Sequence, residues 1–102
     1  MQRQGMGRHE ILELLRKHAP DLRKRFMVKD LWVFGSAARD EARAGSDVDI
    51  LVDFAGPPTF EGYMDLKFRL EELLGARVDL VTRDAVRPAL KERIERESIL
   101  VA

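Results

Sequence analysis

The sequence predicts a single α/β domain, of the α+β type, in which a small mixed sheet of three strands is flanked by helices. Short apolar runs that end at Gly or Pro alternate with longer stretches whose apolar residues recur at helical spacing. The chain has 102 residues, of which 45% are hydrophobic and 35% charged, and this composition is typical of one compact domain. We therefore expect one domain over residues 1–102, with a flexible leader over residues 1–7.

The first helix is predicted over residues 9–26, and Pro20 is expected to break or restart it. Its apolar residues lie near helical spacing at Ile11, Leu12, Leu15 and Leu22. Residues 31–34 form a wholly apolar run, which favours a strand that is covered on both faces. Gly35 closes this strand, and a short helical turn is expected over residues 37–42.

The second strand is predicted over residues 48–54, because the run is β-branched and apolar except for its carboxylates. A helix is expected over residues 60–74, with Gly75 as its C-terminal stop. A third strand follows over residues 77–82. The helix between these two strands makes the connection long enough for a right-handed parallel crossover.

The last helix is expected from Pro88 to about Glu97, since a proline in the first turn sacrifices no hydrogen bond. Residues 99–101 either add a small edge strand or simply pack. The relative direction of the first two strands stays open. The aromatic residues expected in the core are Trp32, Phe34, Phe54, Tyr63 and Phe68.

Composition excludes several functional classes. Eighteen basic residues balance eighteen acidic ones, which argues against stable binding to nucleic acid or to an anionic membrane. The chain has no cysteine, so it can form neither a disulfide nor a thiolate metal cluster. No apolar run approaches the ~20 residues of a membrane span, and we expect a cytoplasmic protein.

Three aspartates are the candidate catalytic and metal-binding residues. Asp47 and Asp49 are two residues apart, so both project to one side of the second strand. If the first two strands are antiparallel and the third is parallel to the second, Asp79 joins them. Two carboxylates ~5 Å apart repel by about 3 kcal/mol at an effective dielectric of ~20, so a cation is expected among them. Ligands that are all oxygen suit Mg²⁺ or Mn²⁺.

Two of the three aspartates also have a simpler interpretation. Asp47 follows a serine and is typical of a turn before a strand. Asp79 could instead form an ion pair with Arg77 or Arg83. Asp49 is harder to explain in this way, because a carboxylate inside an apolar run is costly without a partner.

A second group of residues points to phosphate binding. Gly35 allows the backbone to approach a ligand closely, and Ser36 adds a hydroxyl donor at the start of a helical turn. Arg39, one turn further on, has a fork of donors that matches phosphate. The alternative for Arg39 is an ordinary solvated helix surface.

The motif Gly35-Ser36, ten residues and then Asp47-x-Asp49 resembles the active-site motif of the minimal nucleotidyltransferases, in the DNA polymerase beta superfamily. The resemblance implies a nucleotidyltransferase fold and transfer of a nucleoside monophosphate, usually AMP from ATP, to an acceptor hydroxyl. It implies that Asp47 and Asp49 bridge two Mg²⁺ ions, that Asp79 completes the second metal's shell, and that Gly35, Ser36 and Arg39 hold the β- and γ-phosphates.

The resemblance also implies a partner. Short members of this family resemble antitoxins whose partner is a HEPN-family ribonuclease toxin, and the implied reaction adenylylates a tyrosine of that toxin. Two alternatives remain: an antitoxin or regulatory subunit that only binds, and a transferase that acts on a small molecule or an RNA end. Homo- or hetero-oligomers are compatible with each of them.

Overall fold

The computed structural model describes residues 7–43 and 45–101. The elements in chain order are α1 (Arg8–Phe26), β1 (Val28–Phe34), α2 (Gly35–Ala38), β2 (Val48–Phe54), α3 (Phe60–Leu74), β3 (Val78–Thr82), a 3₁₀ turn (Arg83–Ala85), α4 (Pro88–Glu97) and β4 (Ile99–Leu100). The predicted α/β class is confirmed. The predicted leader lies outside the described residues except for Gly7, which is the N-cap of α1.

The four strands form one mixed sheet in the order β3-β2-β1-β4. β1 is antiparallel to β2, whereas β2 and β3 are parallel, as the length of their connection predicts. The sheet has four strands where three were predicted, because the small edge strand that was one of two expectations for residues 99–101 forms and pairs with β1 through Trp32 and Leu100. A strand of two residues is too short to show a periodic pattern in the sequence. Helix α1 helps to hold it, because the Arg16 guanidinium donates to the Leu100 and Val101 carbonyls at 3.1 and 3.2 Å.

Pro20 does not interrupt α1, contrary to the prediction of a break. The proline removes one backbone hydrogen bond, but Ala19 and Leu22 beside it are buried in the core. Burial on both sides of the proline therefore keeps the helix continuous. The predicted short helix also begins earlier than expected, at Gly35, and ends at Ala38.

The core lies between the sheet and the two long helices, α1 and α3. Alternate residues of β2, Val48, Ile50 and Val52, belong to it. Because strand side chains alternate, Asp49, which lies between Val48 and Ile50, points to the opposite face of the sheet. The fold thus separates a buried helical face from a face that carries carboxylates.

Phe68 does not belong to the core, contrary to the prediction, and it is 56% exposed. It lies on the side of α3 away from the buried Leu66 and Leu70, so helical spacing alone misassigned it. The other predicted core aromatic residues are half-buried. Within the residues that the structure describes, none of the helices has the length and apolarity to cross a membrane.

Candidate active site

Three neighbouring strands form one row of the sheet that holds two of the three predicted aspartates, and Asp47 lies directly before the middle strand. Phe34 of β1 pairs with Asp49 of β2, and Asp49 pairs in turn with Asp79 of β3. The antiparallel β1–β2 pair and the parallel β2–β3 pair are the arrangement that this convergence requires. Arg83, a predicted rival partner of Asp79, instead lies 3.9 Å from Asp53 and 3.7 Å from Glu95.

The carboxyl group of Asp49 interacts electrostatically with the charged side chains around it. Its pKa is raised from 3.8 to about 6, chiefly by partial burial and further by the charge of Asp79, a hydrogen bond with Asp79 and the charge of Asp47. The positive charge of Arg39 acts in the opposite direction. Asp47 and Arg39 are therefore within electrostatic range of Asp49, so the structure groups the three predicted aspartates with the predicted arginine.

The backbone of Gly35 packs closely against the side chain of Asp49. Its φ of +67° lies in the left-handed region, and a Cβ on this residue would lie 2.1 Å from Asp49 Oδ2. No side chain fits in that space unless the carboxylate moves. Ser36 follows directly in α2 and is half-buried. The glycine of the predicted phosphate-binding pair therefore also accommodates the predicted catalytic carboxylate.

Arg39 ends α2 and is tied to acidic partners. Its guanidinium lies 3.0 Å from Glu41 and 3.3 Å from Glu97 at the end of α4. Both pairs are partly exposed, so each contributes little to stability, and a more highly charged anion would compete well for the arginine. Sequence reasoning did not predict the contact with Glu97, which depends on where α4 lies.

Two side chains of α3 reach the backbone on either side of Asp79, and sequence reasoning assigned a role to neither of them. Glu71 Oε2 accepts a hydrogen bond from the Val78 N–H at 3.0 Å. The Tyr63 hydroxyl donates to the Leu80 carbonyl. Tyr63 was expected only as a core residue, and no spacing in the sequence indicates a contact with the next strand.

The carboxylates suit a divalent cation that a substrate helps to hold. Within residues 7–43 and 45–101, no group of three or more His, Asp or Glu side chains is arranged to hold a metal ion by itself. Mg²⁺ does not require such a group, because it is usually bound by one or two carboxylates together with substrate phosphates. The carboxylates of Asp49 and Asp79 on adjacent strands, beside the close approach at Gly35, fit that pattern.

The raised pKa of Asp49 predicts a pH-dependent stability. Its folded pKa of about 6 exceeds its ordinary 3.8, so the protonated carboxyl stabilises the fold below pH 3.8, and this contribution is lost as the pH rises through 6. The full shift would correspond to roughly 3 kcal/mol. Solvent screening of this half-exposed group reduces the expected effect to about 1 kcal/mol.

We therefore expect Asp49→Asn to be more stable than the wild type by about 1 kcal/mol at pH 7.5 in EDTA, and to lose this advantage near pH 4. Urea unfolding at both pH values measures the difference. Asp65→Asn, which removes a carboxylate from the exposed surface of α3, is the matched control. An Asp49→Asn variant that is less stable at pH 7.5 would contradict the repulsion described for the acidic row.

Comparison with known proteins shows the family to which the chain belongs. The sequence profile of the nucleotidyltransferase domain family matches residues 15–101. The protein adenylyltransferase MntA of Thermococcus cleftensis is 44% identical over 92 residues, which cover 90% of this chain and 93% of that protein. A solved structure described as a candidate minimal nucleotidyltransferase is 41% identical, with a TM-score of 0.79, over 92% of this chain and 95% of its own.

A more distant structure shares the fold. It is a chain from the complex described as a tri-AMPylated Shewanella oneidensis HEPN toxin with an MNT antitoxin. The identity is 22% and the TM-score 0.58, over 93% of this chain and 68% of that one. The family profile and the two relatives above 40% identity decide the assignment. The chain therefore belongs to the nucleotidyltransferase domain family, as its resemblance to the minimal nucleotidyltransferases predicted, and it is an enzyme of that class.

Proposed function

We propose that this enzyme transfers AMP from ATP, with Mg²⁺, to a hydroxyl group of a partner protein. The observation that carries the proposal is the fit of Gly35 against Asp49 in the row that Asp49 shares with Asp79. A relative at 44% identity is named a protein adenylyltransferase, which supports AMP as the transferred group and a protein as the acceptor. The proposal includes a cytoplasmic location, where ATP and Mg²⁺ are both available.

Asp47, Asp49 and Asp79 are the proposed ligands of two Mg²⁺ ions, with Mn²⁺ as a substitute. Bound metal ions in such a site neutralise phosphate charge and stabilise the entering and leaving oxygens of an in-line displacement. The acceptor oxygen bonds to the α-phosphorus, the bond from that phosphorus to the bridging oxygen breaks, and pyrophosphate leaves. The chain supplies no covalent nucleophile in this reaction, and its contribution is positioning and charge.

The position of each residue in the fold determines the role that we assign to it. Gly35 and Ser36, at the start of α2, are the residues that we assign to the β- and γ-phosphates. Arg39 joins them once the phosphates displace Glu41 and Glu97 from its guanidinium. Asp79 lies on the outermost of the three strands, so we assign it to the acceptor side, where it favours loss of the hydroxyl proton.

The proposed acceptor is a tyrosine of a HEPN-family toxin, and the enzyme is then the antitoxin. Support comes from the distant complex, which is described as an AMPylated HEPN toxin bound to its MNT antitoxin. Transfer of AMP adds a negatively charged group to the toxin surface. An antitoxin that acts in this way does not have to remain bound to its target.

Intact mass spectrometry of the partner toxin tests this function. After incubation with the enzyme, ATP and Mg²⁺, we expect the toxin mass to increase by one or more AMP units. Replacing the acceptor tyrosine by phenylalanine should remove the increase. If the toxin is neutralised without a change in mass, and Asp49→Asn neutralises it equally well, the enzyme inhibits by binding alone and the proposal is wrong.

A further inference from the structure

Among the residues that the structure describes, the strand that carries Asp79 is held in a sheet ladder on one side only. β3 lies at the end of the order β3-β2-β1-β4, so no described strand lies along its outer edge. The ladder to β2 holds Asp79 opposite Asp49. An edge strand frays more readily than a central one, so a catalytic side chain on it needs a second constraint.

Side chains of α3 supply that constraint at two points. The N–H and C=O groups of alternate strand residues point to the same edge, and those of Val78 and Leu80 point away from β2. Glu71 accepts from the Val78 N–H at 3.0 Å, and the Tyr63 hydroxyl donates to the Leu80 carbonyl. The two contacts hold the residues directly before and directly after Asp79.

The environment of Tyr63 keeps it a donor. Burial raises the pKa of its phenol, and the nearby charge of Asp79 raises it further. The hydroxyl is therefore a donor to the Leu80 carbonyl at neutral pH.

We propose that Tyr63 and Glu71 are positioning residues, which fix the edge strand on both sides of Asp79 and so orient its carboxylate for the acceptor hydroxyl. This inference rests on the proposed function, because it concerns the same reaction. In the proposed function, ATP and its phosphates bind at the other end of the row, at Gly35, Ser36 and Asp49. Loosening β3 therefore impairs the transfer step and leaves ATP binding intact.

Three variants separate positioning from general packing. Tyr63→Phe keeps the ring and removes only the hydroxyl, and Glu71→Ala removes the acceptor of the Val78 N–H. Glu71→Gln keeps an acceptor oxygen and should restore the contact. Asp65→Ala, on the exposed surface of the same helix, is the control.

Kinetics on the partner toxin give the first measurement. We expect kcat to fall about tenfold in Tyr63→Phe and in Glu71→Ala, the size typical of lost outer-shell contacts. KM for ATP should stay within about twofold, and Glu71→Gln should recover most of kcat. Unchanged kcat in both Tyr63→Phe and Glu71→Ala, or equal losses in kcat and in affinity for ATP, would overturn the proposal.

Hydrogen exchange gives a measurement that does not depend on transfer. In Tyr63→Phe and Glu71→Ala, the amides of residues 78–81 should exchange faster, while those of residues 31–34 should keep the wild-type rate. If the wild type transfers no AMP, the proposed function fails, yet this exchange pattern still tests the constraint on β3. Equal exchange at residues 78–81 in wild type and variants would overturn the inference on its own.

Discussion

Replacing Gly35 by alanine is expected to reduce AMP transfer by roughly a hundredfold while the protein remains folded. The added Cβ would lie 2.1 Å from Asp49 Oδ2, so the carboxylate has to move by about an ångström to reach an ordinary contact distance. A misplacement of that size in an active site costs about a hundredfold in rate. Since the obstructed atom is the end of a side chain, Asp49 can move while the fold persists.

In Gly35→Ala, the left-handed backbone is strained by the new side chain, which lowers the free energy of unfolding by about 1–2 kcal/mol. Gly75, the C-cap of α3, is a matched control because its φ is +62° and nothing lies within 4 Å of a Cβ there. Gly75→Ala should lose similar stability and keep its activity. Equal transfer rates in the two variants would show that the close approach to Asp49 has no functional consequence.

The second large effect concerns ligand binding by the aspartates. At one hundred times the dissociation constant, ATP with Mg²⁺ should stabilise the wild type by about 2.7 kcal/mol, which raises Tm by about 10 °C in a domain of this size. The Asp47→Asn, Asp49→Asn double variant should show no such increase, because the proposed metal ligands are gone. Differential scanning fluorimetry measures both proteins with and without ligand.

The comparison must use the ligand-induced shift, since removing like charges is itself expected to stabilise the ligand-free variant. ATP in EDTA is the control for binding without metal, and it should shift the wild type far less. If the double variant retains the full shift with ATP and Mg²⁺, the aspartates do not form the metal site.

Local patterns were sufficient to predict most of the fold. The apolar run of β2 and the stop at Gly75 are determined by neighbouring residues, and the structure has both where the sequence predicts them. The errors and the open alternative arose where distant contacts decide. Contacts with β1 and Arg16 make residues 99–100 the edge strand that was one of two expectations. Pro20 is tolerated because its neighbours are buried, and Phe68 faces away from the core.

For the candidate site too, local spacing was sufficient for some residues and distant contacts decided the others. Gly35 and Asp49 are recognisable from motif spacing, and the parallel crossover was enough to place Asp79 beside Asp49. The side-chain contacts that surround them depend on how α3 and α4 dock on the sheet. Spacing therefore revealed neither the Tyr63 contact with Leu80 nor the Arg39 pair with Glu97.

Label transfer from ATP tests the central claim most directly. The enzyme and its partner toxin are incubated with Mg²⁺ and ATP that is labelled at either the α- or the γ-phosphate. AMP transfer predicts that only α-phosphate label enters the toxin and that γ-phosphate label leaves as pyrophosphate. The double variant Asp47→Asn, Asp49→Asn should abolish both the labelling of the toxin and the release of pyrophosphate. Label from the γ-phosphate on the toxin, or α-phosphate label that persists in the double variant, would contradict the proposed reaction.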